Sequence, residues 1–175
     1  MRPALLLPLT LVGVLAASCG GGGDRPSASD WATTFCTSTR EWGEEVEQSV
    51  DEVRDLFSLT EELETAVESV REATDAYVAE LRDLGAPDVD APDDVDAALE
   101  GLADELDAET AEIEDAFDDA SGLSGPATVG REVASSVGAM FTSLERTLES
   151  FDEDGVDEDL QQAFDDVEAC DDLSR

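Results

Sequence analysis

The sequence has no histidine, no lysine and no asparagine, and it contains a single isoleucine. Without histidine there is no Ser–His or Cys–His catalytic pair and no imidazole metal ligand, and the Glu-x-x-His pairs of di-iron bundles cannot occur. Without lysine there is no Schiff-base nucleophile and no lysine for a phosphate-binding loop. These absences exclude most familiar catalytic and cofactor sites, and we expect no cofactor.

Carboxylates are the only catalytic groups left in quantity. The chain has 46 of them, so pairs at any spacing arise by chance and carry little information. The segment Gly122-Leu123-Ser124-Gly125-Pro126 lacks the last glycine of a nucleophile elbow, and no base is available to its serine. We therefore expect a protein that is not an enzyme.

The formal net charge is −37, with only 9 basic residues in 175. Binding of nucleic acid, or of an anionic membrane through charge, would need the opposite sign. The sequence leaves open whether the acid excess is an adaptation to salt or compositional drift. Without its leader the chain has the length of one domain with a real core, and residues 30–175 are predicted to form it.

The first eighteen residues have the pattern of a leader peptide. Arg2 is followed by an apolar run from Ala4 to Ala17, which is too short to span a bilayer. The end of this run, Leu15-Ala16-Ala17-Ser18-Cys19, resembles a bacterial lipobox, although its leucine lies one place early. The resemblance implies that residues 1–18 are removed and that Cys19 carries lipid on the outer face of the cytoplasmic membrane. An ordinary secretory leader is the alternative.

The cysteine count agrees with the lipid anchor. Three cysteines are an odd number for an exported protein, and acylation of Cys19 leaves Cys36 and Cys170 to pair. An exported location permits a disulfide, whereas the alternative of two reactive thiols has no Cys-x-x-Cys motif in its favour. Residues 19–29 form a Gly/Ser-rich tether with a reach of only ~15–20 Å, so the folded part is expected close to the membrane.

Apolar residues recur at helical spacing along the rest of the chain. The first stripe runs from Trp31 to Phe57, with Ser29 or Asp30 as its expected cap. We predict a break at Ser58–Thr60, although one continuous helix up to Gly85 is an alternative. The further stripes are Leu63–Leu84, Val95–Phe117 and Val129–Leu148, and a short helix from about Asp157 carries Leu160, Phe164, Val167 and Cys170.

These stripes predict an all-α fold, an up-down bundle of four long helices with a short C-terminal fifth helix. The disulfide would then hold the fifth helix at the end where the first helix begins. The fourth helix has almost no charge between Ala127 and Leu144 and is rich in small residues. We expect it to be the most buried helix, and the alternative is a contact face for a partner.

An acidic segment near the C-terminus is the best candidate for cation binding. When Gly155 is placed as the glycine of an EF-hand loop, Ser150, Asp152 and Asp154 take the first ligand positions. The match then fails, because Asp157 replaces a hydrophobic residue and Gln161 replaces the bidentate glutamate. We expect capping and solvated acids here and no metal site, with Asp152, Asp154 and Asp157 as weak candidate ligands. The same interpretation applies to Asp88, Asp90, Asp93, Asp94 and Asp96.

Several short motifs together resemble small actinobacterial cell-envelope lipoproteins. The motifs are Trp31-x-x-x-Phe35-Cys36, then Trp42, then Leu84-Gly85-Ala86-Pro87, and finally Phe164 with Ala169-Cys170. The resemblance implies a location in the cell envelope and a helical bundle, but no activity. We expect a membrane-anchored interaction or scaffold protein whose partner is an envelope protein or a small ligand, and not nucleic acid. A divalent-cation or small-ligand binding module is the alternative.

Overall fold

The computed structural model describes residues 25–55, 60–120, 126–152 and 158–170. In these ranges the chain forms five α-helices and no strand. The helices pack against one another as a bundle, so the predicted all-α helical bundle is confirmed. The elements are α1 (Ala28–Asp55), α2 (Thr60–Leu84), α3 (Pro92–Ala120), α4 (Pro126–Asp152), α5 (Glu158–Asp166) and a 3₁₀ turn (Glu168–Cys170).

The start of α1 is capped by Ser27, so the predicted caps Ser29 and Asp30 are wrong. The Ser27 hydroxyl oxygen accepts a hydrogen bond from the backbone N–H of Asp30 at 3.2 Å, and the hydroxyl donates to the Asp30 carboxylate at 2.8 Å. The pair resembles a capping box, except that the Asp30 carboxylate accepts from the Ser27 hydroxyl and not from its backbone N–H. Helix α1 therefore begins two residues earlier than expected.

Glycine and proline mark three of the other helix ends. Gly85 follows α2 with a φ of 56°, a left-handed conformation that side chains disfavour and that commonly ends a helix. Pro92 and Pro126 are the first residues of α3 and α4, where the missing N–H of proline is not needed for helical hydrogen bonding.

Helices α1 and α2 are separate and antiparallel, which contradicts the alternative of one continuous helix. The contacts between them run in opposite directions along the two helices. Trp31 bonds to Gly85 just beyond α2, while Trp42, further along α1, bonds to Thr74, earlier in α2. The predicted break at Ser58 itself lies outside the described residues.

Helix α4 runs antiparallel to α1 and packs most extensively on α3. Trp31 meets Phe151 near the end of α4, and Trp42 meets Phe141, which lies almost three turns earlier in that helix. The start of α1, the end of α2, the end of α4 and α5 thus share one end of the bundle. These contacts set α2 and α4 antiparallel to α1.

The core is built from the predicted apolar stripes. Its largest fully buried side chains come from all four long helices and from α5: Trp31, Phe35, Leu81, Leu102, Leu106, Ile113, Met140 and Leu160. The expectation that α4 is the most buried helix is wrong, because Ala134, Ser135, Gly138 and Thr142 are exposed and α4 buries no larger a share of its residues than α1 or α2.

The C-terminal helix is shorter than predicted. Helix α5 ends at Asp166, and Cys170 lies in the 3₁₀ turn, where its N–H donates to the carbonyl of Val167 at 2.9 Å. A 3₁₀ turn is tighter than an α-helix, so it redirects the chain over a short length. Cys170 thereby reaches α1, on which both α5 and the turn pack.

Candidate functional site

The predicted disulfide between Cys36 and Cys170 is present. Its S–S distance is 2.00 Å, and its Cα atoms are 5.1 Å apart. Cys36 lies in α1 with an exposure of 0 %, while Cys170 in the 3₁₀ turn is 7 % exposed. The bond thus joins two residues 134 positions apart and fixes the chain's last described element to its first helix.

Four aromatic rings pack together at the end of the bundle where the disulfide lies. Trp31 and Phe35 stack on each other in α1, with ring centroids 5.1 Å apart. Phe151 of α4 and Phe164 of α5 stack on each other and meet both α1 rings edge-on, at 5.8 to 6.1 Å. Such edge-to-face pairs add stabilisation beyond the area that they bury.

Two hydrogen bonds fix the tryptophans of α1 to α2. The indole N–H of Trp31 donates to the carbonyl of Gly85 at 2.6 Å, and that of Trp42 donates to the Thr74 hydroxyl at 3.2 Å. Buried indole groups need such partners, because an unpaired buried donor is costly. The apolar stripe of α1 predicted the burial of both tryptophans but neither of their partners.

The only tyrosine of the chain completes this network. The Thr39 hydroxyl donates to the Phe35 carbonyl at 2.7 Å, so the Tyr77 hydroxyl, 2.6 Å away, donates to Thr39. Burial strongly raises the pKa of Tyr77; the Thr39 hydrogen bond opposes this effect and the charge of Glu80 adds to it. Thr39 continues the apolar stripe of α1 at helical spacing, and this position was the sequence signal for its burial.

The acidic residues whose burial the structure describes all face solvent to some degree. No aspartate or glutamate among them is buried, and only Asp96 and Glu109 are half-buried. No group of three or more candidate metal ligands occurs within the described ranges. Of the predicted elbow acids, Asp93 and Asp94 lie in the first turn of α3, where the helix dipole favours them.

The candidate cation ligands Asp154 and Asp157 lie outside the described residues, as does the side chain of Asp152. The signal peptide of residues 1–18, Cys19 and most of the tether also lie outside them. None of the helices in the part of the chain that the structure describes is both long and apolar enough to cross a membrane.

Arginines join the acidic helices to their neighbours. Arg82 of α2 reaches Asp107 at 2.7 Å and Asp104 at 3.4 Å on α3, and its hydrogen bond to Asp107 raises the pKa of the guanidinium. Arg146 of α4 contacts both carboxylate oxygens of Glu105 at 3.0 and 3.3 Å. These pairs bridge α2 to α3 and α3 to α4 at the solvent-exposed surface.

The uncharged segment of α4 provides an exposed surface, which we call the neutral face: Ala134, Ser135, Gly138 and Thr142. These residues recur at spacings of three, four and seven, so they share one side of the helix. A Cβ atom added to Gly138 would have no neighbour within 4 Å, so its small size serves no contact within the described chain. The half-buried Phe141 borders this face and packs on Trp42.

Comparisons of the chain with protein-family models, with curated proteins and with solved structures give no match.

Proposed function

We propose that this protein is a lipid-anchored, non-enzymatic interaction or scaffold protein on the outer face of the cytoplasmic membrane. The neutral face of α4 carries the interaction part of this proposal. The centres of protein–protein interfaces are depleted of charged residues, because desolvating a charge is costly. On a chain with a net charge of −37, an exposed face without charge is where contact with a partner costs the least desolvation free energy.

The disulfide supports the anchor. It accounts for two of the three cysteines and leaves Cys19, at the end of the leader, as the remaining one. The first described residue is Arg25, and α1 begins at Ala28, so few residues separate Cys19 from the bundle. The resemblance to small actinobacterial envelope lipoproteins agrees with the same location.

Metabolic labelling with an alkyne fatty acid in an actinobacterial host tests the anchor. We expect the full chain to carry the label and to sediment with membranes, and Cys19→Ala to lose both properties. An unlabelled wild-type chain in the culture medium would instead indicate plain secretion. Retention of label by Cys19→Ala would place the lipid elsewhere.

Site-specific photo-cross-linking in the envelope tests the neutral face. A photoreactive residue at Ser135 is expected to give a discrete adduct, whereas the same residue at the exposed Ala97 of α3 serves as a matched control on an acidic helix. Adducts of equal yield at both positions, or none at Ser135, would contradict the proposal. Mass spectrometry of the adduct identifies the partner.

No observation in the described ranges favours the cation-binding alternative. A thermal melt with and without millimolar Ca²⁺, at fixed ionic strength, separates it from the proposal. Specific binding to the folded state would raise the Tm, since a ligand stabilises the state that it binds. We expect no shift beyond that of an equal ionic strength of Na⁺.

A further inference from the structure

Helix α5 and the 3₁₀ turn form a cap (residues 158–170) over an aromatic groove. The groove is lined by Trp31 and Phe35 of α1 and Phe151 of α4. Phe164 of the cap inserts against all three rings, with centroid distances of 5.8 to 6.1 Å. Leu160 of the cap is fully buried. The cap thus packs as an amphipathic helix laid in a hydrophobic groove.

The packing of the long helices on one another does not involve the cap. In the described ranges, α5 packs on α1, on α4 and on the 3₁₀ turn, and it has no packing contact with α2 or α3. The fully buried residues Leu106, Ile113 and Met140 belong to α3 and α4. The packing of α1 on α2, of α2 on α3 and of α3 on α4 would therefore remain if the cap left.

The groove is also held in shape by contacts that do not involve the cap. Trp31 donates its indole N–H to Gly85, beyond the end of α2, and its ring stacks on Phe35. Phe151 meets both of these rings. Three of the four rings would therefore keep their arrangement without Phe164.

We propose that the cap is a detachable occupant of the aromatic groove, retained by the Cys36–Cys170 disulfide, and that reduction of this bond by a dithiol opens the groove while the four long helices stay folded. The open groove then accepts an amphipathic helix with the apolar pattern of the cap, in which Leu160, Ala163 and Phe164 lie at spacings of three and four. This conformational switch is independent of the proposed envelope role.

The reduction proceeds by thiol–disulfide exchange. A thiolate of the reductant attacks the Cys170 sulfur, which is the less buried of the two, and Cys36 leaves as a thiolate that takes up a proton. The second thiol of the reductant then displaces Cys170, which also becomes a protonated thiol. Two electrons and two protons pass to the protein, and the reductant is left as a disulfide.

Tryptophan emission and hydrogen exchange test the opening. In a Trp42→Phe background, Trp31 is the remaining tryptophan of the chain and reports on the groove. On reduction with dithiothreitol we expect its emission maximum to shift to the red, while far-ultraviolet circular dichroism keeps most of its helical signal. Amides of α5 should exchange at least ~10-fold faster, and those of α3 should change little.

Two outcomes of this experiment would overturn the proposal. Complete loss of helical signal on reduction would mean that the whole fold depends on the disulfide. Unchanged exchange in α5 would mean that the cap does not detach. Cys36→Ala/Cys170→Ala should reproduce the reduced state without reductant. In the oxidised protein, Phe164→Ala should speed exchange in α5 only, which checks the separate packing of the cap in a chain that keeps its disulfide.

A labelled peptide of residues 158–170 that carries Cys170→Ala tests the helix-binding groove. We expect it to bind the Cys36→Ala/Cys170→Ala protein more tightly than the oxidised wild type, whose groove is occupied. The same peptide with Phe164→Ala is the matched control and should bind at least ~10-fold more weakly, since truncation of a central aromatic anchor commonly has such an effect. Equal binding of both peptides would refute recognition by the groove.

Discussion

The two sides of α2 are held by different physical means. Towards α1 the contacts are neutral: the rings of Trp42 and Tyr77 stack, and hydroxyl and indole hydrogen bonds join Thr39 to Tyr77 and Trp42 to Thr74. Towards α3 the described polar contacts are exposed ion pairs in which Arg71 and Arg82 meet carboxylates. The first kind is buried and insensitive to salt, whereas salt screens the second.

This difference shows how a chain with a net charge of −37 can keep a defined fold. Mutual repulsion of the carboxylates opposes compaction, and it acts most on α3, which carries acidic residues along its whole length and no basic residue. The neutral contacts between α1 and α2 are unaffected by that repulsion. The stability of the bundle should therefore rest mainly on the α1 side and vary with salt mainly on the α3 side.

Of the substitutions that test this difference, Trp31→Ala should lower the free energy of unfolding the most. Trp31→Ala removes ring contacts to Phe35, Phe151 and Phe164 and leaves the Gly85 carbonyl without its indole donor. We expect the free energy of unfolding to fall by about 3–5 kcal/mol, the usual range for a buried aromatic truncated to alanine. Urea unfolding followed by circular dichroism measures this loss.

The salt dependence of that loss distinguishes the two kinds of contact. The decrease for Trp31→Ala should be the same at low and high NaCl, because no charge is altered. Ile113→Ala, at a fully buried position of α3, is a control that also truncates a core side chain on the acidic side. If the loss of stability in Trp31→Ala became much smaller with added salt, the contacts of Trp31 would depend on charge, contrary to our interpretation.

Tyr77 gives the next largest effect and a dependence on pH. Tyr77→Phe removes the hydrogen bond to Thr39, and we expect a loss of about 1 kcal/mol, typical of a single buried hydrogen bond. Above the ordinary pKa of 10.0, the unfolded chain loses the phenolic proton while the buried phenol keeps it. The folded state then binds more protons, so stability falls as the pH rises beyond about 10.

The chain suits a direct measurement of this alkaline effect. It has one tyrosine and no lysine, so tyrosinate absorbance reports Tyr77 alone and no ammonium side chain titrates beside it. We expect ionisation to occur only with unfolding, and the alkaline loss of stability to be reduced in Tyr77→Phe. Ionisation at the ordinary pKa in a protein that stays folded would contradict the burial of Tyr77.

The sequence predicted the helices better than it predicted what their surfaces do. Apolar spacing, Gly85 and Pro126 are local signals, and each marks a helix or a helix end where the structure has it. The pairing of Cys36 with Cys170 followed from counting. The bonds of Trp31 to Gly85 and of Tyr77 to Thr39 join residues far apart in the chain, and no local pattern encodes such partners.

The error over α4 has a specific cause. Its small and uncharged residues resemble those of a buried helix in composition, but Ala134, Ser135 and Gly138 lie on the side that the other helices do not cover. Composition reports the absence of charge and not the direction of a side chain. Because these residues are both uncharged and exposed, they are the ones on which the proposed contact face rests.

The smallest expected effect comes from the ion pair between Arg146 and Glu105, whose side chains are 61 % and 50 % exposed. Arg146→Gln should lower the free energy of unfolding by about 0.5 kcal/mol at low salt, and by less at high salt. Glu105→Gln breaks the same pair but removes a negative charge. If the attraction within the pair dominates, both variants are destabilised equally. We expect instead that repulsion across the acidic surface dominates. Glu105→Gln is then neutral or stabilised, because the lost attraction is offset by weaker repulsion around α3. Urea titrations at low salt measure both effects. Equal destabilisation of the two variants would mean that individual ion pairs, and not the net charge, determine the stability of the acidic side.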